Sequence, residues 1–285
     1  MNLVETWRES LREVLDDASL TVSDVRIGVF YTAVQLSSGH VGAAFTPRDL
    51  ADTVCCPQSA AAAPPSGRMA GGKAWDLAKY ALSPVPLRRS VGVAVLNALS
   101  ALAAAEGGAP GARTLSGVDA LDAADIQPEE DVAMVGAFLP FIKALKGRAG
   151  RLWVVDRHRE ALKPDEAGLW RPPEEAPEVL SQASVVIITA SALVEGGIDA
   201  LLDAASPARR VVLAGPTAPL WAPPFFDRGV DVLGGMRVLD GGKMLRLVSE
   251  GGSGYFFGDA AEKVCLVREE RRTTPRPPPK TAARA

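Results

Sequence analysis

From residue 131 to about 267 the chain repeats one pattern: a short apolar run, a loop of small or polar residues, then a helical segment. That rhythm constrains the fold more than any other feature, because short strands alternating with helices build a mainly parallel sheet with helices packed on it. Strands are read over 132–135, 151–156, 184–189, 210–214, 230–233 with a continuation through 239, and 263–267. Helices are read over 138–146, 193–205 and 219–228, and the Pro-rich piece 163–177 is read as a loop in place of a crossover helix.

In an open sheet of this kind, ligands gather at the carboxyl ends of the strands. Four strand ends therefore supply candidates for ligand binding. The first is VAMVGAFLP, 132–140, where Gly136 either lets helix amides face an anionic or carbonyl group or serves only a tight turn. Asp156 either accepts hydrogen bonds from ribose hydroxyls or stands in solvent beside Arg157. Thr189 and Ser191 offer hydroxyls to a ligand or cap the following helix. Gly215, Pro216 and Thr217 form a stiff loop expected at the same rim.

Several chemistries find no support. A lone Gly136 is not GxGxxG, and there is no Walker A motif and no GxSxG. The two histidines, His40 and His158, fall in different halves without zinc-ligand spacing, so no metal site is read and no catalytic residue is defined by spacing. The cofactor is left unknown.

The first half has a different order. Leu3, Trp7, Leu11, Val14 and Leu15 recur at helical spacing. DVRIGVFY, 24–31, is strand-like, 32–36 continues it or returns, and HVGAAF, 40–45, follows a turn at 37–39, giving a small antiparallel sheet. Thr46-Pro47 starts a helix, 60–72 is a loop, and 73–82 and 86–105 are helices. Asn97 lies inside the apolar VAVLNALSALAAA and must be hydrogen-bonded there, either to a neighbouring loop or in a cleft between the halves. Tyr31 and Thr32 are expected on that same side, as ligand contacts or as structural residues at a sheet edge. The division is 1–112 for an α+β unit, 113–130 for a connector, 131–267 for the parallel-sheet unit, and 268–285 for a disordered Pro/Arg-rich tail.

Composition narrows the partners. A net charge of -3 offers no attraction for nucleic acid. Cys55, Cys56 and Cys265 make no even disulfide framework, so a cytoplasmic location is expected, and the vicinal pair is read as a buried helix end. No membrane association is expected, since the apolar run 91–105 is shorter than the roughly 20 residues of a span and the N-terminus lacks a signal layout. The expected partners are a small-molecule ligand and, with a mean hydropathy of +0.10, a second copy as a homodimer.

Taken together, DVRIGVFYTAVQL, GHVGAAFTP, SVGVAVLNALSA, MVGAFLPFI, WVVDR, ASVVIITASALVEGGIDALL, VVLAGPTAPL and FFDRGVDVLGGMRVLD resemble the DUF364 family of putative heavy-metal chelation proteins, preceded by its usual DUF4213 domain. The resemblance spans about residues 5 to 267. It implies an α/β fold: a Rossmann-like mainly parallel sheet domain preceded by a smaller α+β, enolase N-terminal-like domain, with a cleft between them as the site. It carries over Asn97, Gly136, Phe138, Asp156, Thr189, Ser191 and the 215–217 loop as site residues. One departure is Glu195-Gly196-Gly197, where members commonly show Asn-Gly-Thr. The function implied is binding of a siderophore- or pterin-like metal-chelating molecule, and, in an enzyme, its condensation or hydrolysis, in heavy-metal handling. The alternatives are a nucleotide- or S-adenosylmethionine-dependent enzyme and a non-catalytic metallophore carrier.

Overall fold

Leu3, Trp7 and Leu11 return on one face every turn, and α1 (Leu3–Val14) buries them, with Asn2 accepting the Glu5 amide at its start. Val14, expected on that face, is exposed because the helix ends there, and Leu15 closes into the core instead. In the computed structural model, which describes residues 2–48 and 63–269, an antiparallel sheet follows with β1 (Val22–Ile27), β2 (Tyr31–Leu36) and β3 (Val41–Phe45) in that order. The stretch 24–31 is therefore two strands and not one, with a turn at 28–30 that interrupts an unbroken apolar pattern. Gly28 makes that turn possible: a Cβ there would lie 2.1 Å from the Val248 carbonyl oxygen.

α2 (Ala74–Ala78) runs through a 3₁₀ turn at Lys79–Leu82 into the chain loop before α3 (Pro86–Gly107). By length and composition α3 is long enough to cross a bilayer, which the run 91–105 alone is not, yet 72% of its most apolar window is buried inside the protein. β3 lies directly on it, since a Cβ at Gly42 would sit 2.2 Å from the Ala98 nitrogen. Residues 46–48 are not helical, and the rest of the helix expected from there, Cys55, Cys56 and the tail from 270 onward lie outside the described residues.

The second half contributes β4 (Ala112–Ser116), α4 (Ala120–Ala123), β5 (Val132–Val135), α5 (Leu139–Leu145), β6 (Leu152–Val155), β7 (Trp170–Arg171), α6 (Ala176–Gln182), β8 (Val185–Thr189), α7 (Ala192–Glu195), α8 (Ile198–Ala204), β9 (Arg210–Ala214), α9 (Pro223–Asp227), β10 (Val232–Val238), α10 (Gly241–Ser249) and β11 (Ala261–Arg268). Its eight-stranded sheet has the order β4-β11-β10-β9-β8-β5-β6-β7. Pairing is parallel from β7 across to β10, and β11 and β4 add antiparallel. The fold is thus α/β, with a mainly parallel sheet and a separate small antiparallel one.

Three sequence expectations are corrected here. The span 113–130 carries most of the edge strand β4 and the whole of α4. The helix expected over 193–205 is two, because Gly196 and Gly197 both take positive φ, +92° and +84°, and stop the first. The loop 163–177 holds short 3₁₀ turns and β7, which pairs with β6.

Period-2 alternation explains the continuous apolar strands. Val186 and Ile188 of β8 and Val211 and Leu213 of β9 join a core shared with α1 and α3. Val185, Ile187, Val212 and Ala214 point the other way, into a core with α4 and α5. The first domain thus covers one sheet face, and α10 closes a third cluster against Ala33 and Val41 of the small sheet.

Candidate functional site

The chain leaves β5 in one direction to β6 and β7 and crosses back to β8 on the other side. The strand order therefore reverses between β5 and β8, where a ligand crevice is expected. The 136–138 loop is closely bound there. Gly136 donates to the Val155 carbonyl at 2.9 Å, Ala137 to Asp156 Oδ2 at 2.9 Å, and Phe138 to the Gly136 carbonyl at 3.1 Å. These amides do not face an open anion hole, which leaves the tight-turn role for Gly136. Its φ is +89°, and a Cβ would meet Thr189 Cβ at 3.0 Å.

Asp156 serves the same loop. Its second oxygen accepts from the His158 amide at 2.9 Å, so both carboxylate oxygens are engaged by backbone. Thr189 and Ser191 bond one another through their hydroxyls at 2.9 Å, and the Ser191 side chain makes no cap bond to the helix after it. These strand-end residues hold the rim in shape.

Asn97 and Thr217 meet across the two domains. Asn97 Nδ2 donates to the carbonyls of Ala43 at 2.7 Å and Thr217 at 2.9 Å. Thr217 Oγ1 accepts from the Phe45 amide at 2.9 Å, and Ser90 Oγ donates to the Phe45 carbonyl at 2.7 Å. Thr32, also buried, bonds Thr46 Oγ1 at 2.9 Å. Asn97 Oδ1 is buried without a partner; exchanging the amide's ends would set that oxygen against two carbonyls, so the bonds fix its orientation. Arg89 extends the seam by donating to the carbonyls of Val194 and Glu195, where the expected Asn-Gly-Thr is replaced. Burial lowers the Arg89 pKa, with Glu195 acting against it.

Beside this seam lies a cavity of about 670 Å³. Its walls are the β5–α5 loop with Phe138, the start of α5 with Phe141, the end of β9 with Gly215 and Pro216 after it, Gly234 and Gly235 of β10, and β11 from its start. Phe30, Tyr31 and Phe45 close it from the first domain, and Tyr255 and Phe257 from the loop after α10. Tyr31, Phe138, Gly215 and Pro216 are thus brought together, whereas Thr32, Asn97, Gly136, Asp156, Thr189, Ser191 and Thr217 stand behind the wall or in the seam. The described first-domain residues in the cavity wall come from the β1–β2 turn and the ends of β2 and β3, with Arg48, and none comes from α3.

Two ring pairs shape the interior: Phe138 stacks on Phe141 with centroids 5.1 Å apart, and Tyr31 meets Phe257 edge-on at 5.1 Å. Burial, with Tyr255 adding to it, pushes the Tyr31 phenol up to about 12. It stays a protonated donor at neutral pH. Burial pushes the Cys265 thiol up to about 11, and its Sγ contacts the Val118 carbonyl at 3.3 Å. It is not a ready nucleophile. Glycine at 234 lets α4 approach, since a Cβ would lie 2.3 Å from that of Ala120.

The lining aromatics Phe30, Phe45, Phe141, Tyr255 and Phe257 were not among the sequence candidates. The glycine-rich aromatic stretch GGSGYFFG at 251–258 and the Gly-Gly pair inside a strand were the available signals. Among the described residues, no group of three or more His, Cys, Asp or Glu side chains could hold a metal ion.

The DUF364 family, described as putative heavy-metal chelation, matches residues 119–267. The DUF4213 family, with the same description, matches residues 8–100. No curated protein matches the chain. Among solved structures, a DUF364-family protein of unknown function from Desulfitobacterium hafniense DCB-2 is 20% identical, with a TM-score of 0.74 over 93% of this chain and 98% of that one. Another, from Pyrococcus horikoshii, is 22% identical, with a TM-score of 0.73 over 93% of this chain and 100% of that one. At such identities the likeness is one of fold, and the family rests on the matched domains: the chain belongs to the DUF364 family, with a DUF4213 domain ahead of it.

Proposed function

We propose that this protein binds a small, planar aromatic molecule of the metal-chelating kind in the cavity between its two domains and so takes part in heavy-metal handling. The observation that carries this reading is the cavity itself: about 670 Å³, walled by aromatic rings from both domains. That volume suits a molecule of several rings. The family description supplies the link to metals. The described residues offer no clustered ligand set, so the metal would arrive inside a chelator.

Binding is better supported than any chemical step. Among the described lining residues, the Tyr31 phenol and the buried Cys265 thiol are the proton donors with a raised pKa, and no His lines the cavity with them. A siderophore- or pterin-like ligand carried unchanged fits this arrangement; condensation or hydrolysis would need groups outside it. The nucleotide or S-adenosylmethionine reading is weakened by the engagement of Asp156 with two amides.

A thermal-shift panel of catechols, pterins, nucleotides and S-adenosylmethionine tests the proposal, because a ligand bound only by the native state raises its melting point. Catechols or pterins should raise it, and Phe138→Ala, which removes one ring of the stacked pair, should weaken binding at least about tenfold. Shifts with nucleotides alone, or shifts indifferent to Phe138→Ala, would overturn it.

A further inference from the structure

Among the described residues, four charged ones line the cavity: Arg48, Asp119, Glu262 and Lys263. Three are neutralised by neighbours. Lys263 Nζ lies 2.6 Å from Asp119 Oδ2, and Asp119 Oδ1 also caps α4 by accepting the Leu121 amide at 3.0 Å. Glu262 is paired with Arg237 at 2.8 Å. Arg48 has no carboxylate partner among the described residues, and its guanidinium lies over the Phe30 ring, 5.7 Å from the centroid. A cation held on an aromatic face keeps its in-plane N–H donors free to point elsewhere.

We infer that Arg48 is the anion anchor of this cavity and that the ligand is a planar aromatic carrying a carboxylate or comparable negative charge, its rings among Phe138, Phe141 and Tyr31 and its charge on the Arg48 guanidinium. The inference rests on the cavity being the ligand site, and adds to it the charge of the ligand and the residue that reads it. The pairing of charges leads there. The four lining charges sum to zero, but Glu262 is paired with Arg237, which does not line the cavity, and Lys263 with Asp119, so Arg48 is left as the lining charge without an ion-pair partner among the described residues. An anion balances it, whereas a cation would meet the same sign. The apolar walls raise the worth of a charged contact relative to open solvent. The Tyr31 phenol, protonated well beyond neutral pH, adds a donor and no competing negative charge. Arg48 is exposed, so its replacement does not disturb a core.

The test is calorimetric titration of the full chain with two matched pairs: 2,3-dihydroxybenzoate against catechol, and pterin-6-carboxylate against pterin. In at least one pair the carboxylate should bind at least about tenfold more tightly than its neutral mate. Arg48→Gln should abolish that preference without changing affinity for the neutral compound, and Arg48→Lys should restore part of it, a bidentate guanidinium contact being stronger than an ammonium's. Added salt should weaken the carboxylate alone. Equal affinity within each pair, or a preference that survives Arg48→Gln, overturns the anchor while leaving the cavity as the ligand site. Failure of all four compounds to bind overturns both.

Discussion

The seam between the domains and the cavity beside it are built from opposite materials. Along the seam, Asn97, Thr217, Ser90 and Arg89 reach backbone amides and carbonyls with directed bonds. In the cavity, rings and glycines make the walls, and most charges cancel in pairs. The difference teaches where polar residues at strand ends go in a two-domain sheet protein. A buried carbonyl at a domain junction must find a donor, and that need claims the amide or hydroxyl before a ligand does. The ligand space is left to groups with no such debt to the backbone.

The comparison breaks most visibly at Asn97. Replacing it with Leu removes both amide hydrogens and leaves the carbonyls of Ala43 and Thr217 buried without that donor. The expected cost is about 2–4 kcal/mol, the range for buried groups left unsatisfied plus the misfit of a branched apolar side chain. Denaturant unfolding should show the midpoint falling, while ligand affinity of the folded protein changes little. A large loss of affinity with unaltered stability would move Asn97 from the seam to the site.

Thr217 gives a smaller effect of the same kind. Thr217→Val keeps the shape and deprives the Phe45 amide of its acceptor, for an expected loss of about 1–2 kcal/mol. Thr217→Ser should restore most of it. If Ser does not rescue, the methyl group and not the hydroxyl bond carries the role.

These residues also mark how far the sequence could be read. Strands were legible where β-branched runs bury both faces, and β9 falls at its expected bounds, 210–214. The hairpin turn at 28–30 was not, because Ile27, Val29 and Tyr31 continue an alternation that a single strand would also show. β4 escaped notice since ARTLS, at the sheet edge, needs no apolar face. For the candidate site, loops expected at the carboxyl ends of β5 and β9 do line the cavity, but polarity alone could not tell a ligand contact from a backbone clamp. Asp156 could be assigned only when Ala137 and His158 were seen on its two oxygens. The rings of 30, 45, 255 and 257 converge only through the packing of separate domains and loops.

The smallest effect at neutral pH belongs to Tyr31, and it sharpens the contrast from the cavity side. Its phenol ordinarily titrates near 10 and is pushed up to about 12 in the folded protein, mainly by burial. Below pH 10 both states are protonated, so the group contributes no pH dependence there. Between 10 and about 12 the unfolded chain gives up its proton while the folded one holds it, so the unfolded state binds fewer protons and stability falls as pH rises. At pH 11 the difference is about 1.4 kcal/mol, one pKa unit's worth of free energy. Tyr31→Phe should therefore match the parent in unfolding midpoint at pH 8 and lose about that much less on going to pH 11. Equal losses in the two proteins would mean that the phenol meets water freely, and a cavity wetted to that depth would be a poorer host for an aromatic ligand than its rings imply.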